Sequence, residues 1–223
     1  ANIGIFLAGI ASNGPMLLLP LFFQNTKGFT AVEAGLMLIP QGLGMMVTRP
    51  LIGKMIDRMG ARPVVLVSLA ISLLGTIPFI FVHENTNLIW LGLVLFVRGM
   101  GIGGLQMPMM TDIFIGLDKQ DIPSASVGQR IIQNVGSSFG SAVISAVVTA
   151  VVTSEIAGQM TTKLHQLAAM HTNLTPTVIA RAKTSVEKAV TLNGYQLGFL
   201  VSSIVLIVIA IPAMFLSQKK VNK

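Results

Sequence analysis

Arg98 is the residue whose placement demands the most chemistry. It stands about ten residues into the uncharged run that opens at Leu88, or about 15 Å along a helix at 1.5 Å per residue, near the middle of a ~30 Å hydrocarbon layer. An arginine at that depth costs about 2.5–3.5 kcal/mol on translocon scales, so its side chain must face protein or water. A guanidinium held there serves one of three ends: a site for an anionic or polar group, a partner for a titrating carboxylate, or a structural arginine tied to backbone carbonyls. Asn13, Gln41, Gln106, Gln133 and Asn134 also lie within apolar stretches. Each can line a cavity or hydrogen-bond a neighbouring helix. With Arg98 they form the candidate cavity set.

A second pattern is Gly53-x-x-x-Asp57-Arg58-x-Gly60-x-Arg62. Gly53 permits close helix approach, Gly60 a left-handed helix terminator, and the arginines anchor the segment at a membrane surface. Asp57 at a helix end can dock on another helix N-terminus or an arginine, a latch that a conformational change breaks. The alternative is a solvated loop that only fixes topology. Gly136-Ser137-Ser138-Phe139-Gly140 matches the G-x-S-x-G of serine hydrolases, but that motif belongs on a strand-to-helix elbow with a base in reach. His83, His165 and His171 all fall between apolar runs, without partners at metal-ligand spacing. The same glycines, with Ser141, Ala142, Ser145 and Ala146, read more simply as a small-residue stripe for close helix packing. There is no cysteine, hence no disulfide and no thiolate metal site.

The elements that must hold these residues follow from composition. The 223 residues are 52% hydrophobic and 10% charged, with a mean hydropathy of +0.78, against about a quarter charged in soluble domains. A soluble globular chain is excluded. Asp, Glu, Lys, Arg and His are absent from Ala1 to Thr26, Pro63 to Val82, Ile131 to Ser154 and Ala189 to Gln218, each run reaching the ~20 residues that cross a bilayer. Hydrophobic windows give an all-α, six-span membrane bundle, with spans at 3–23, 34–56, 64–82, 88–111, 131–154 and 195–216. The net charge of +7 comes from basic residues at the ends of apolar runs, not from a patch interleaved with aromatics, so they read as membrane anchors and no nucleic-acid partner is expected.

An even number of spans puts both chain ends on one side. That side carries Lys54, Arg58, Arg62, Lys119, Lys219, Lys220 and Lys223, which makes it, and the C-terminus, cytoplasmic by the charge rule. The opposite side has Lys27 and a long segment, 155–194, in which Thr175-Pro176 reads as a helix start and Val178, Ile179, Ala182, Val186, Ala189 and Val190 recur at helical spacing. This predicts an amphipathic outer helix over the bundle or at the interface, ended by a break at Asn193-Gly194. Pro15 and Pro108 fall within the first and fourth spans, which predicts a broken helix in corresponding members of a three-plus-three repeat. Ala1 is not a start methionine and the chain opens inside an apolar span. A piece of a longer protein is therefore expected.

The loop from Gly53 to Arg62 resembles the signature of the major facilitator superfamily. So do Pro20-Leu21-Phe22-Phe23-Gln24-Asn25 ending the first span, Gly28 and Ala34-Gly35-Leu36 opening the second, Pro40, Gly44, and the glycine-rich fourth span ending in Pro108. The order is similar to the C-terminal six-helix half of fourteen-span drug:proton antiporters of the EmrB/QacA type. Departures are Ala61, where the family often has a basic residue, and Gly99-Met100-Gly101, which fits the fourth-helix arginine motif only in part.

The resemblance implies proton-coupled efflux of drugs or lipophilic compounds by alternating access, powered by the proton gradient without a cofactor or metal. Asp57, Arg58 and Arg62 would help hold one access state closed. The implied partners are the bilayer, the N-terminal half of the same transporter and a small-molecule substrate. No Asp or Glu stands near mid-depth, so the coupling acid is expected in the other half. Asp112 is the local candidate for proton relay, with a hydrated surface cap as its alternative reading. Met37, Met45, Met46, Met100, Met107, Met109 and Met110 crowd the second and fourth spans, soft side chains that suit varied lipophilic cations or plain packing. The rival functions are export of a specific metabolite or lipid-like compound, and a non-transporting membrane scaffold.

Overall fold

The computed structural model describes residues 2–83, 86–114, 118, 120–169 and 175–214, without the side chains of residues 2, 110–113, 167–169 and 176. Among the described residues all regular structure is helical. In chain order it comprises α1 (Asn2–Lys27), α2 (Ala31–Leu36), α3 (Ile39–Met59), α4 (Ala61–Thr76), a 3-10 turn (Ile77–Phe81), α5 (Leu88–Phe114), α6 (Ile122–Ala169) and α7 (Pro176–Ala213). Among the described residues six stretches are long and apolar enough to cross a membrane, the number expected.

Local chemistry explains most boundaries. The second span opens early, as the short α2, because Thr30 and Glu33 form a capping box: Thr30 N–H donates to Glu33 Oε2 at 2.8 Å, and Glu33 N–H to Thr30 Oγ1 at 3.3 Å. Pro40 then sits in the first turn of α3, where its missing N–H costs nothing. Gly60, at φ 82°, lets α3 end and α4 begin without a spacer. The prolines at 15 and 108 do not break their helices: α1 and α5 run continuously through them, as membrane helices can where packed neighbours re-satisfy the freed groups.

Among the described residues two large cores fill the bundle, with a smaller one of Ile52, Ile56 and Val64 between α3 and α4. Toward the Gly28 end, Leu18, Leu19, Phe22 and Phe23 of α1 meet Phe79, Leu91, Leu95, Tyr195 and Phe199. Toward the Gly60 end, Ile5 and Ala8 meet Val65, Leu69, Leu105, Met109, Leu206 and Ile209. The packing partners obey an internal exchange. Helix α1 lies on α6 and α7, α5 lies on α3 and α4, and α4 meets α7; swapping α1 with α5, α3 with α6 and α4 with α7 maps one set onto the other. That is the partner pattern of two three-helix repeats.

The long segment between the last two spans differs from expectation. Helix α7 does not break at Asn193-Gly194 but runs unbroken from Pro176. Asn193 Nδ2 donates to Glu155 Oε2 at 3.5 Å, and Gly194 fits closely against Val148 and Val152 of α6, so both residues are used in helix packing rather than in a turn. The amphipathic face is real, with Ala182, Val186 and Val190 buried, yet it packs on the extension of α6. With 48 residues, α6 is about 72 Å long at 1.5 Å per residue, roughly twice a hydrocarbon layer. Together α6 and α7 form a helical hairpin projecting beyond the bundle.

Candidate functional site

The six residues grouped as one cavity set fall in three places. Arg98 is 1% exposed, and its Nη1 donates to Oε1 of buried Gln41 at 3.1 Å, joining α5 to α3. Its Nε has no partner. The reason lies in the glycines beside it. An added Cβ on Gly99 would overlap the Gln41 carbonyl, and one on Gly101 the backbone of Ser72, so α5 lies with its backbone directly on α3 and α4. Arg98 is enclosed by that contact.

Asn13 and Gln106 do line a cavity, of about 450 Å³, between α1, α3 and α5. Ser12, Met16, Met45, Arg49, Ile102, Gly103 and Met107 complete the wall. Asn13 Nδ2 donates to Ser137 Oγ of α6 at 2.8 Å and to the Gly9 carbonyl at 3.3 Å, which pins it at the α1–α6 contact. Ser12 Oγ is buried without a partner. Asn134 is exposed, in a shallow groove with Val135, Ser138, Phe139 and Ala142 on α6. Gln133, half-buried one position earlier, presents its carbonyl to Gly9 of α1.

Sequence reasoning missed Arg49. It stands eight residues before Asp57 on α3, inside the second expected span. The available signal was depth: eight residues are about 12 Å of helix, too far from the surface for a loop charge. Of the methionines, Met45 and Met107 line the cavity with Met16, Met109 is fully buried in the core, and Met46 is 73% exposed.

In the Gly53–Arg62 segment, Asp57 and Arg58 are exposed at the end of α3, and Arg62 is half-buried on α4. Among the described residues Asp57 has no ion-pair partner. A Cβ on Gly53 would meet nothing within 4 Å, so its close approach is not to another described helix. The face of α3 carrying Leu43, Met46, Val47 and Leu51 is likewise exposed. The Asp112 side chain lies outside the described residues, as do Lys119, His171, Lys219, Lys220 and Lys223. Ser138 sits mid-helix on α6, and Gly136 and Gly140 pack on Phe6 and Ile10 of α1. The G-x-S-x-G stretch is a packing stripe without a nucleophile elbow.

A six-span bundle of paired three-helix units around a polar-lined cavity is the architecture of one half of a membrane transporter. The sequence profile of the Major Facilitator Superfamily matches residues 2–141, and the chain belongs to that family. It is a multi-pass membrane protein and not an enzyme. It is 33% identical over 125 residues to the uncharacterized MFS-type transporter YcnB of Bacillus subtilis, covering 56% of this chain and 26% of that protein. It is 32% identical over 140 residues to a Multidrug resistance protein B homolog of Mycobacterium tuberculosis, covering 62% and 26%. With the Lincomycin resistance protein LmrB of Listeria innocua the identity is 25% over 134 residues, covering 60% and 28%. The matches thus span about a quarter of each relative's length.

Proposed function

We propose that these residues are the C-terminal half of a proton-coupled exporter of drugs or other lipophilic compounds, working by alternating access in the cytoplasmic membrane with the C-terminus in the cytoplasm. The observation that carries the reading is the cavity between α1, α3 and α5, where amides, a cation and three methionines meet on a bundle of the transporter family. The resistance names of the relatives support efflux as the direction. The N-terminal half of the same transporter covers the exposed face of α3, which accounts for Gly53 having open space beside it. Asp57, Arg58 and Arg62 act at that junction as the latch of one access state. The coupling carboxylate resides in the other half, with Asp112 as the local relay.

The test is efflux of a fluorescent drug from cells producing the full-length protein, with and without an uncoupler. Efflux that collapses with the proton gradient supports the reading. Efflux indifferent to the uncoupler removes proton coupling, and no efflux of any compound leaves a scaffold.

A further inference from the structure

We infer that the cavity between α1, α3 and α5 binds amphipathic anions, with Arg49 taking the acidic headgroup and the methionine wall taking the apolar body. The inference rests on the transport reading above for its setting and adds the charge class of the substrate. Arg49 stands within a membrane-crossing stretch, about 12 Å of helix from Asp57, and has no ion-pair partner among the described residues. A guanidinium at such depth is costly unless it is paired or faces water. It faces the cavity, and no acidic residue is among those that line it.

The rest of the wall has the two-sided character an amphiphile needs. Met16, Met45 and Ile102 supply an adaptable apolar surface. Beside Arg49 the polar groups are the Asn13 and Gln106 amides and the buried Ser12 hydroxyl, which lacks a partner. A volume of about 450 Å³ falls within the range of small-molecule sites. Arginine presents a rigid fork that meets a carboxylate, sulfate or phosphate through two charge-assisted hydrogen bonds. Arg49 is exposed, and a lipophilic cation in the same space would meet its uncompensated like charge.

The test uses the full-length protein in lipid nanodiscs, with three radiolabelled probes that share one tail: decanoate, decanol and decyltrimethylammonium. Binding to empty nanodiscs is subtracted. Wild-type protein is expected to bind decanoate at least tenfold tighter than decanol, and decyltrimethylammonium weakest. Arg49→Gln is expected to weaken decanoate about tenfold, the loss of one hydrogen-bonded charge, and to leave the other probes unchanged, while Arg49→Lys keeps most of the anion binding. Decanoate no tighter than decanol on the wild type overturns the inference without any variant having to fold. Equal losses of anion and cation in Arg49→Gln also overturn it, because they mark Arg49 as paired with a carboxylate elsewhere in the transporter. The two readings fail separately: anion binding that depends on Arg49 without efflux removes transport alone, and uncoupler-sensitive efflux without preferential anion binding removes this inference alone.

Discussion

Across the α3–α5 contact the Arg98 guanidinium reaches the Gln41 side-chain oxygen at 3.1 Å, and both residues are buried. This places the most costly charge among the described residues at a helix contact inside the bundle. Gln41→Leu removes the acceptor and leaves the charge enclosed, so it is expected to lower stability by about 1–3 kcal/mol. Arg98→Met with Gln41→Leu is expected to be more stable than the sum of the single effects implies, because the polar desolvation is removed with the charge. Denaturant titration of the full-length protein measures the cycle. Additive effects would show that the two residues do not act as a unit.

The glycines separate close helix contacts within the bundle from open positions on its surface. A methyl group on Gly99 overlaps the Gln41 carbonyl, whereas one on Gly53 meets open space. Gly99→Ala is expected to destabilise the protein by about 1–3 kcal/mol through overpacking at backbone contact. Gly53→Ala is expected to leave the unfolding midpoint of this half unchanged or slightly raised, since alanine is the better helix former, while slowing efflux if the other half packs there. A thermal-stability assay and an efflux rate on both variants check the pair of outcomes.

Element type and number were legible because a helix spanning a bilayer needs a long apolar run, and charges punctuate those runs. Side-chain direction was not. Arg98 and Arg49 both stand within apolar spans, yet the glycines at 99 and 101 draw α5 against its neighbours and enclose the first, while the second faces the cavity. Hydropathy carries no information on which helix a glycine face will meet. The Gly60 turn was legible because positive φ strongly favours glycine. Asn193-Gly194 was misread because the same two residue types serve equally as a turn and as a close contact, and only the position of α6 decides.

Continuity of α7 is open to direct measurement. Backbone hydrogen bonding through Asn193 and Gly194 is expected to give amide protection over residues 188–198 comparable to the adjoining turns of α7 when the full-length protein is studied by hydrogen–deuterium exchange. A local minimum of protection at 193–195 would restore the break. Glu155→Gln, which keeps an acceptor for Asn193, is expected to change this little, and Glu155→Ala to loosen the hairpin above the contact.

Asp57 tests the latch. It is exposed at the end of α3 with no ion-pair partner among the described residues, so its neutralisation has little to disturb within this half. Asp57→Asn is therefore expected to leave the unfolding midpoint within about 0.5 kcal/mol of wild type, as for surface substitutions. If the carboxylate docks on the other half in one access state, the same change biases the equilibrium between states, because only a contact made differently in the two states shifts it. Turnover is then expected to fall several-fold while binding of a transported compound changes by less. Efflux rate and equilibrium binding on the same preparation decide it. An unchanged rate would leave Asp57 a topology signal, and a parallel loss of binding would place it at the substrate instead.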